Sequence, residues 1–223
     1  MTSPLLLPSA SPWSDRPAEL LLLLGAVAVA PLLLVTLTSF LKMAVVLSVA
    51  RSALGAPQVP PSTAVTGLAL LLTAVAMGPV AEDTWRALQA APEPRGAEAA
   101  LAAAGRAVEP LRAFLLRHAR PDDRATFLDL ARRARPSAPA GDADLSVVAP
   151  AFVVSELRRA FTIGFLVFLP FLVVDLVVAN VLLALGLTQL SPTSVSLPFK
   201  LLLFVAVDGW RLLARGLVLG YLP

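Results

Sequence analysis

The chain has 223 residues, of which 57% are hydrophobic and 15% are charged, and its mean hydropathy is +0.80. Soluble domains are about 45–50% apolar and about 25% charged, so this composition excludes an ordinary water-soluble domain and favours a membrane protein. The lack of cysteine and the single histidine, His118, exclude disulfides and thiolate or histidine-rich metal sites, and a net charge of +3 is too weak to indicate nucleic-acid binding.

The N-terminal part of the chain is predicted to form a tail over residues 1–19 and an apolar helical hairpin over residues 20–81. The tail lacks the basic region of a cleaved signal peptide, so the apolar segment that follows it is expected to be retained. Residues 20–41 carry no charge and would span ~33 Å as a helix, enough to cross a bilayer core. Pro31 should kink this helix or mark a helix start.

The middle of the chain, residues 82–149, is a polar insert that holds 10 arginines and 10 acidic residues. Apolar residues recur there at spacings of three and four over residues 97–117, and a second helix is expected over residues 122–133. The pattern predicts a helix–turn–helix subdomain outside the membrane. A substrate-binding surface on this subdomain is the alternative interpretation.

The C-terminal part, residues 150–223, is predicted to form a second apolar hairpin. Its turn is expected within residues 186–198, which contain two prolines and several hydroxyl groups, and Pro170 is expected to kink the helix before it. The sequence therefore predicts an all-α integral membrane protein of two long, kinked hairpins, four crossings in total, with a small helical insert. The distribution of lysine and arginine leaves its orientation open.

Several charged residues lie within or beside these apolar blocks. A charge facing lipid is costly, so such residues are expected to face a protein interior or a watery cavity. Lys200, Phe204 and Asp208 are spaced four apart and would share one helix face, and Asp208 could reach Arg211 at i+3. One interpretation is ion pairing between helices or subunits, and the other is the lining of a hydrated passage. The charges concerned are Lys42, Glu156, Asp175, Lys200, Asp208 and Arg211.

Three stretches of the chain resemble one family. They cover residues 31–85, residues 148–179, which include SELRRAFTIGF, and residues 185–210, which include SLPFKLLLF. These strings are similar to those of the SctR/FliP proteins, which are the injectisome and flagellar versions of an export-gate component of bacterial type III protein secretion systems. The resemblance covers about 120 residues in the same order and spacing.

The resemblance implies a structural and gating subunit of an inner-membrane channel rather than an enzyme, and it implies no cofactor. Members assemble in several copies with SctS/FliQ-like and SctT/FliR-like membrane proteins into a ring- or cone-shaped complex through which unfolded polypeptides enter. The insert would lie on the periplasmic side. Buried charges would then need partners on neighbouring subunits, while lipid contacts the remaining apolar surface.

The family's inner constriction is a methionine-rich loop between the helices of the second hairpin. It falls here on Leu187, Thr188 and Gln189, none of which is methionine. Leu187 could still close a ring by apolar contact, whereas Thr188 and Gln189 would make the constriction wetter. The alternative is that these residues form only a connecting turn.

Two other functions remain open on the sequence. The first alternative is the flagellar version of the export gate, although the lack of a signal peptide favours the injectisome version. A stand-alone transporter or channel is the second, because Asp175 and Lys200 lie at membrane depth, where coupling ions bind in transporters. An intramembrane enzyme is not indicated, since no spacing of a nucleophile and a base stands out.

Overall fold

The computed structural model describes residues 17–56, 59–90, 97–137 and 140–222. The regular elements of these residues are all helices, which confirms the predicted all-α class. Residues 1–16 of the predicted tail lie outside the described residues, and residues 17–19 begin the first helix. The helices are α1 (Pro17–Leu37), α2 (Phe40–Ala53), α3 (Ser62–Gln89), α4 (Ala97–His118), α5 (Pro121–Ala134), α6 (Leu145–Ala184), α7 (Pro192–Ala206) and α8 (Gly209–Leu219).

The first hairpin differs from the prediction in where its first helix breaks. The chain stays helical through Pro31, and the break falls at Thr38 and Ser39, where α1 and α2 meet at an angle of 74°. The Thr38 hydroxyl accepts a hydrogen bond from the backbone N–H of Phe40 at 3.2 Å. Such side-chain bonds compete with the helical ladder, so adjacent hydroxyl residues break this helix where the proline does not.

The insert forms the two helices that the sequence predicts, although its borders differ. α3 begins at Ser62 but runs to Gln89, past the expected border at residues 81–82, because Glu82, Asp83 and Arg86 form helical i+3 and i+4 ion pairs. α5 begins with Pro121 in its first turn. Asp122 and Asp123 lie in its first turn and Arg132 and Arg133 in its last turn, which suits the helix dipole.

α6 is the longest element and the centre of the fold. Its 40 residues extend ~60 Å at ~1.5 Å per residue, about twice the thickness of a bilayer core. The predicted border between residues 149 and 150 falls inside it, and the helix is unbroken across Pro150 and Pro170. A kink at Pro170 stays a prediction.

The turn after α6 is shorter than the predicted one and has a defined helix-ending geometry. Gly186 adopts φ 70°, its N–H donates to the Leu183 carbonyl, and the N–H of Leu187 donates to the Leu182 carbonyl at 2.9 Å. These two bonds form a Schellman motif, for which a left-handed glycine is the favoured residue. α7 then starts at Pro192, so Pro198, which the sequence placed in the turn, lies inside the helix.

The core forms where α2 and α3 pack with the N-terminal half of α6 and the end of α4. Met43, Val46 and Leu47 of α2 are fully buried, as are Phe152 of α6 and Leu115 of α4. α6 also contacts α1, α5 and α7. The centre of the core thus lies beside the insert, at the opposite end of α6 from the turn that leads to α7.

The sequence predicts four crossings, and the part of the chain that the structure describes offers two or three candidate spans. By length and composition, α3 and α6 can each cross a membrane, and the bent pair of residues 31–37 and α2 can form a third span. α7 is apolar but has only 15 residues, and the chain breaks at Val207 and Asp208 before α8. Much of the C-terminal half of α6 is exposed and apolar, including Phe165, Leu176 and Val177.

Candidate functional site

Asp175 and Lys200 are brought together by the packing of α7 on α6. The Nζ atom of Lys200 lies 2.6 Å from Oδ2 of Asp175, and the Ser196 hydroxyl donates to Oδ1 at 2.5 Å. Lys200 is almost fully buried, whereas about a third of the Asp175 side chain is exposed. The sequence predicted that these charges pair between helices or between subunits, and for Asp175 and Lys200 the structure shows a pair between two helices of one chain.

The turn between α2 and α3 closes over this pair. A Cβ atom added to Gly55, which adopts φ 76°, would lie 3.6 Å from Nζ of Lys200. The left-handed conformation favours glycine at this position, and the small residue lets the turn approach the lysine. The turn of the first hairpin therefore packs against the ion pair that joins α6 to α7.

Glu156 is the centre of a second buried cluster. It is fully buried, and it contacts Nζ of Lys42 at 3.3 Å and Nη1 of Arg159 at 2.8 Å. The hydroxyl of Tyr221 donates to the same carboxylate. Nζ of Lys42 also lies 3.5 Å from the centre of the Tyr221 ring, a cation–π contact. One carboxylate thus joins α2, α6 and the turn after α8.

Aromatic rings of the insert cover the Glu156 cluster. The rings of Phe114 and His118 lie 5.8 and 5.0 Å from that of Tyr221. Burial lowers the pKa of His118 to about 4. Glu156 acts in the opposite direction and raises this pKa, whereas the positive charges of Lys42, Arg159 and Arg117 lower it. His118 is therefore neutral at physiological pH.

Asp208 and Arg211 do not belong to these clusters. They pair with each other at 3.2 Å, as the i+3 spacing predicts, but both side chains are largely exposed. The prediction that Asp208 shares a helix face with Lys200 is wrong. α7 ends at Ala206, and Asp208 adopts φ 52° beyond that end, so Asp208 is not part of the helix that carries Lys200. Aspartate tolerates this left-handed conformation better than most residues.

A third polar cluster was missed by the sequence analysis. The Ser155 hydroxyl donates to Oδ2 of Asp123 at 2.6 Å and accepts from the backbone N–H of Arg120 at 2.9 Å, which fixes α5 on α6.

Tyr221, a member of the Glu156 cluster, was also missed by the sequence analysis. It is the only tyrosine of the chain and follows an apolar helix, and these two facts were the only indication in the sequence that Tyr221 has a special role. Arg159 lies in the string SELRRAFTIGF, but its pairing with Glu156 was not predicted.

The predicted constriction residues lie together in the turn between α6 and α7. Leu187, Thr188 and Gln189 are all exposed. Leu187 is held by the Schellman bonds at the end of α6, and Leu185 and Leu190 beside it are exposed as well. The turn is an apolar, solvent-facing tip at the far end of the longest helix.

The clusters hold helices together and show no arrangement for catalysis. Each carboxylate within them is matched by a cation or a hydroxyl, so none is left as an open general base. Within the described ranges, no group of three or more histidine or acidic residues is placed to hold a metal ion. The clusters therefore consist of ion pairs and hydrogen bonds that join helices inside an apolar protein.

Comparisons with known proteins identify relatives over nearly the whole chain. Residues 23–217 match the FliP family. The chain is 44% identical to the pathogenicity-related ORF2 of Xanthomonas campestris pv. glycines, over 93% of this chain and 98% of that protein. It is 43% identical to the Yop proteins translocation protein R of Yersinia pestis, over 91% and 95% of the two chains. It is 44% identical to the flagellar biosynthetic protein FliP of Caulobacter vibrioides, over 92% and 76%.

Proposed function

Because this chain belongs to the FliP family, we propose that it is a structural and gating subunit of the inner-membrane export gate of a type III protein secretion system. The observation that carries this proposal is the family match, which runs from residue 23 to residue 217 and includes every charged residue of the buried clusters. This is a family of export-apparatus membrane proteins and not of enzymes. Exported polypeptides are its cargo.

We propose an oligomer because the single chain exposes more apolar surface than one copy can hide from water. A groove of about 460 Å³ between α6 and α7 is lined only by apolar residues, among them Val173, Val177 and Phe199. Exposed apolar patches of this kind mark protein or membrane contacts. Further copies of this chain, together with SctS/FliQ-like and SctT/FliR-like proteins, would cover the groove, and lipid would cover the rest.

We further propose that the tip formed by Leu187, Thr188 and Gln189 lines the entry pore. Its support is its position at the end of α6, where copies arranged around an axis could bring their tips together. Leucine at the tip would close a ring by apolar contact. In this arrangement the insert of α4 and α5, at the other end of α6, would project to the periplasmic side.

The injectisome version is the form that we propose, with the flagellar gate as the second candidate. The match includes 98% of the Xanthomonas protein and 95% of the Yersinia protein, against 76% and 90% of the flagellar proteins of Caulobacter and Bacillus subtilis. Complementation separates the two versions. We expect the chain to restore secretion to an injectisome mutant that lacks its SctR-type subunit and to leave a flagellar mutant non-motile, and the reverse pattern would favour the flagellar gate.

Co-expression tests the gate itself. The chain would be expressed with the small membrane proteins encoded beside it, extracted in mild detergent and measured by native mass spectrometry. We expect one assembly that contains several copies of this chain and two kinds of partner, since binding stabilises the folded form. A monomer that stays folded and alone in the presence of those partners would contradict the proposal.

A further inference from the structure

A cleft rich in positive charge lies where α2, α6, the end of α4 and the turn after α8 meet. Its volume is about 530 Å³. Four cations and the histidine line it, and none of the described residues in its lining is acidic. These five residues are Lys42, His118, Arg120, Arg158 and Arg159.

The pairing around the cleft leaves it with positive charge in excess. Lys42 and Arg159 share the one carboxylate of Glu156, so this group of three carries one uncompensated positive charge. Arg120 pairs with Asp122 at 3.6 Å. Arg158 lies 3.9 Å from Asp123, at the limit of an ion pair, and more than half of its side chain is exposed. The guanidinium of Arg158 is therefore available to an anion that enters the cleft.

His118 adds a buried hydrogen-bonding group without a partner. It is 8% exposed, lines the cleft, and its Nε2 atom has no hydrogen-bond partner among the described residues. A buried polar atom without a partner costs free energy unless a ligand or water satisfies it. Together with the arginines, it points to a polar ligand in the cleft.

The face of α6 that leaves the cleft is apolar and exposed. Arg158 and Thr162 begin this face, and it continues with Phe165, Leu166 and Leu169, of which the first two are about 60% exposed. From Thr162 to Val173 the face extends ~16 Å at ~1.5 Å per residue. One leaflet of a bilayer contains about 15 Å of hydrocarbon, half of the ~30 Å core. The face matches an acyl chain in length and polarity.

We propose that this cleft binds the phosphate of an anionic phospholipid, whose acyl chains lie along the exposed α6 face from Thr162 to Val173. Arginine pairs with phosphate in bidentate geometry, and neutral His118 can donate one N–H to it. A protein chain with an acidic side chain is the other class of occupant, and crosslinking at position 162 distinguishes it from lipid. The proposal rests on membrane insertion and not on the export function.

Native mass spectrometry of the full chain in mild detergent tests the proposal by titration with phosphatidylglycerol. The variant is Arg120→Gln combined with Arg158→Gln, two partly exposed positions whose loss leaves the Glu156 cluster intact. Each basic residue near a lipid surface contributes about fivefold in affinity, so we expect a loss of about 25-fold. The matched control is Arg132→Gln with Arg133→Gln on α5, which makes the same charge change away from the cleft and should change the affinity less than twofold.

Two further arms separate lipid from other ligands. Phosphatidylcholine, and glycerol phosphate without acyl chains, should each bind at least tenfold more weakly than phosphatidylglycerol. A photo-crosslinking residue at Thr162 should attach to phospholipid in native membranes. Equal losses in the variant and the control, equal binding of glycerol phosphate, or crosslinking of position 162 to a protein chain would each overturn the proposal.

Discussion

At the scale of single residues, the buried charges divide into pairs that a helix pattern can predict and pairs that only the fold creates. The Asp208–Arg211 contact follows from i+3 spacing. The Lys42–Glu156 and Asp175–Lys200 pairs join residues far apart in the chain, and a sequence shows only that each charge needs some partner. The apolar context identified these residues, but nothing in it assigned one to another.

Removal of one member of the Asp175–Lys200 pair should destabilise the protein strongly. Lys200→Ala leaves Asp175 without its cation in an apolar setting, and we expect a cost on the order of 3–5 kcal/mol in urea unfolding in mixed micelles. Asp175→Asn combined with Lys200→Met should cost less than the sum of the single changes. An exposed pair supplies the control, since Arg86→Ala should cost under about 1 kcal/mol. Full stability of Lys200→Ala would show that Lys200 faces water.

His118 should make stability depend on pH between about 6.5 and 4. Its pKa of about 4 in the folded protein lies below the value of 6.5 expected for an unfolded chain, so the unfolded state takes up the proton first. Stability is therefore complete above pH ~6.5 and falls as the pH is lowered, at most by about 3 kcal/mol, since each pH unit corresponds to ~1.4 kcal/mol.

Comparison with a variant that cannot titrate at this position isolates the effect of His118. Unfolding of the wild type and of His118→Gln would be measured at pH 7, 5.5 and 4. The stability difference between the two proteins should shift against the wild type as the pH falls. A constant difference across this range would contradict the assignment.

At the scale of helices, periodicity and turn residues predicted the elements well but placed their ends imperfectly. The two insert helices were predicted close to their observed positions. The break at Thr38 and Ser39 was missed because proline was expected to dominate, and proline is tolerated inside α1, α3 and α6. The break at Asp208 was missed because residues 200–208 keep a helical spacing through it.

The crossing of α2 and α6 depends on a glycine. A Cβ atom at Gly164 would lie 3.0 Å from Cγ1 of Val49, closer than ordinary contacts allow. Gly164→Leu should push the helices apart and cost about 1–3 kcal/mol. Val49→Ala should restore part of that loss by making room. Gly78 of α3 has open space around it and provides the control, because Gly78→Leu should be nearly neutral. Unfolding in mixed micelles measures all four proteins, and an unaffected Gly164→Leu would contradict the close packing.

At the scale of the whole molecule, the sequence predicted the all-α class and the membrane setting, and it predicted four crossings where the described residues offer two or three candidate spans. Composition alone separates this chain from soluble proteins, because charged residues are too few to coat it. The four crossings were predicted by treating α7 and α8 as one helix, and the structure interrupts the helix at Val207 and Asp208. The exposed apolar groove between α6 and α7 could not be foreseen, since it arises from how the two helices pack.

The most direct test of the export-gate function uses the absence of cysteine from the chain. Leu187→Cys places a single thiol at the tip between α6 and α7, and Leu130→Cys places one on an exposed position of α5 as a control. In the assembled complex, we predict that position 187 crosslinks to neighbouring copies and to a stalled export substrate, whereas position 130 does neither. If position 187 crosslinks no better than position 130 in an intact complex, the tip does not line the pore, and the proposed gating role is wrong.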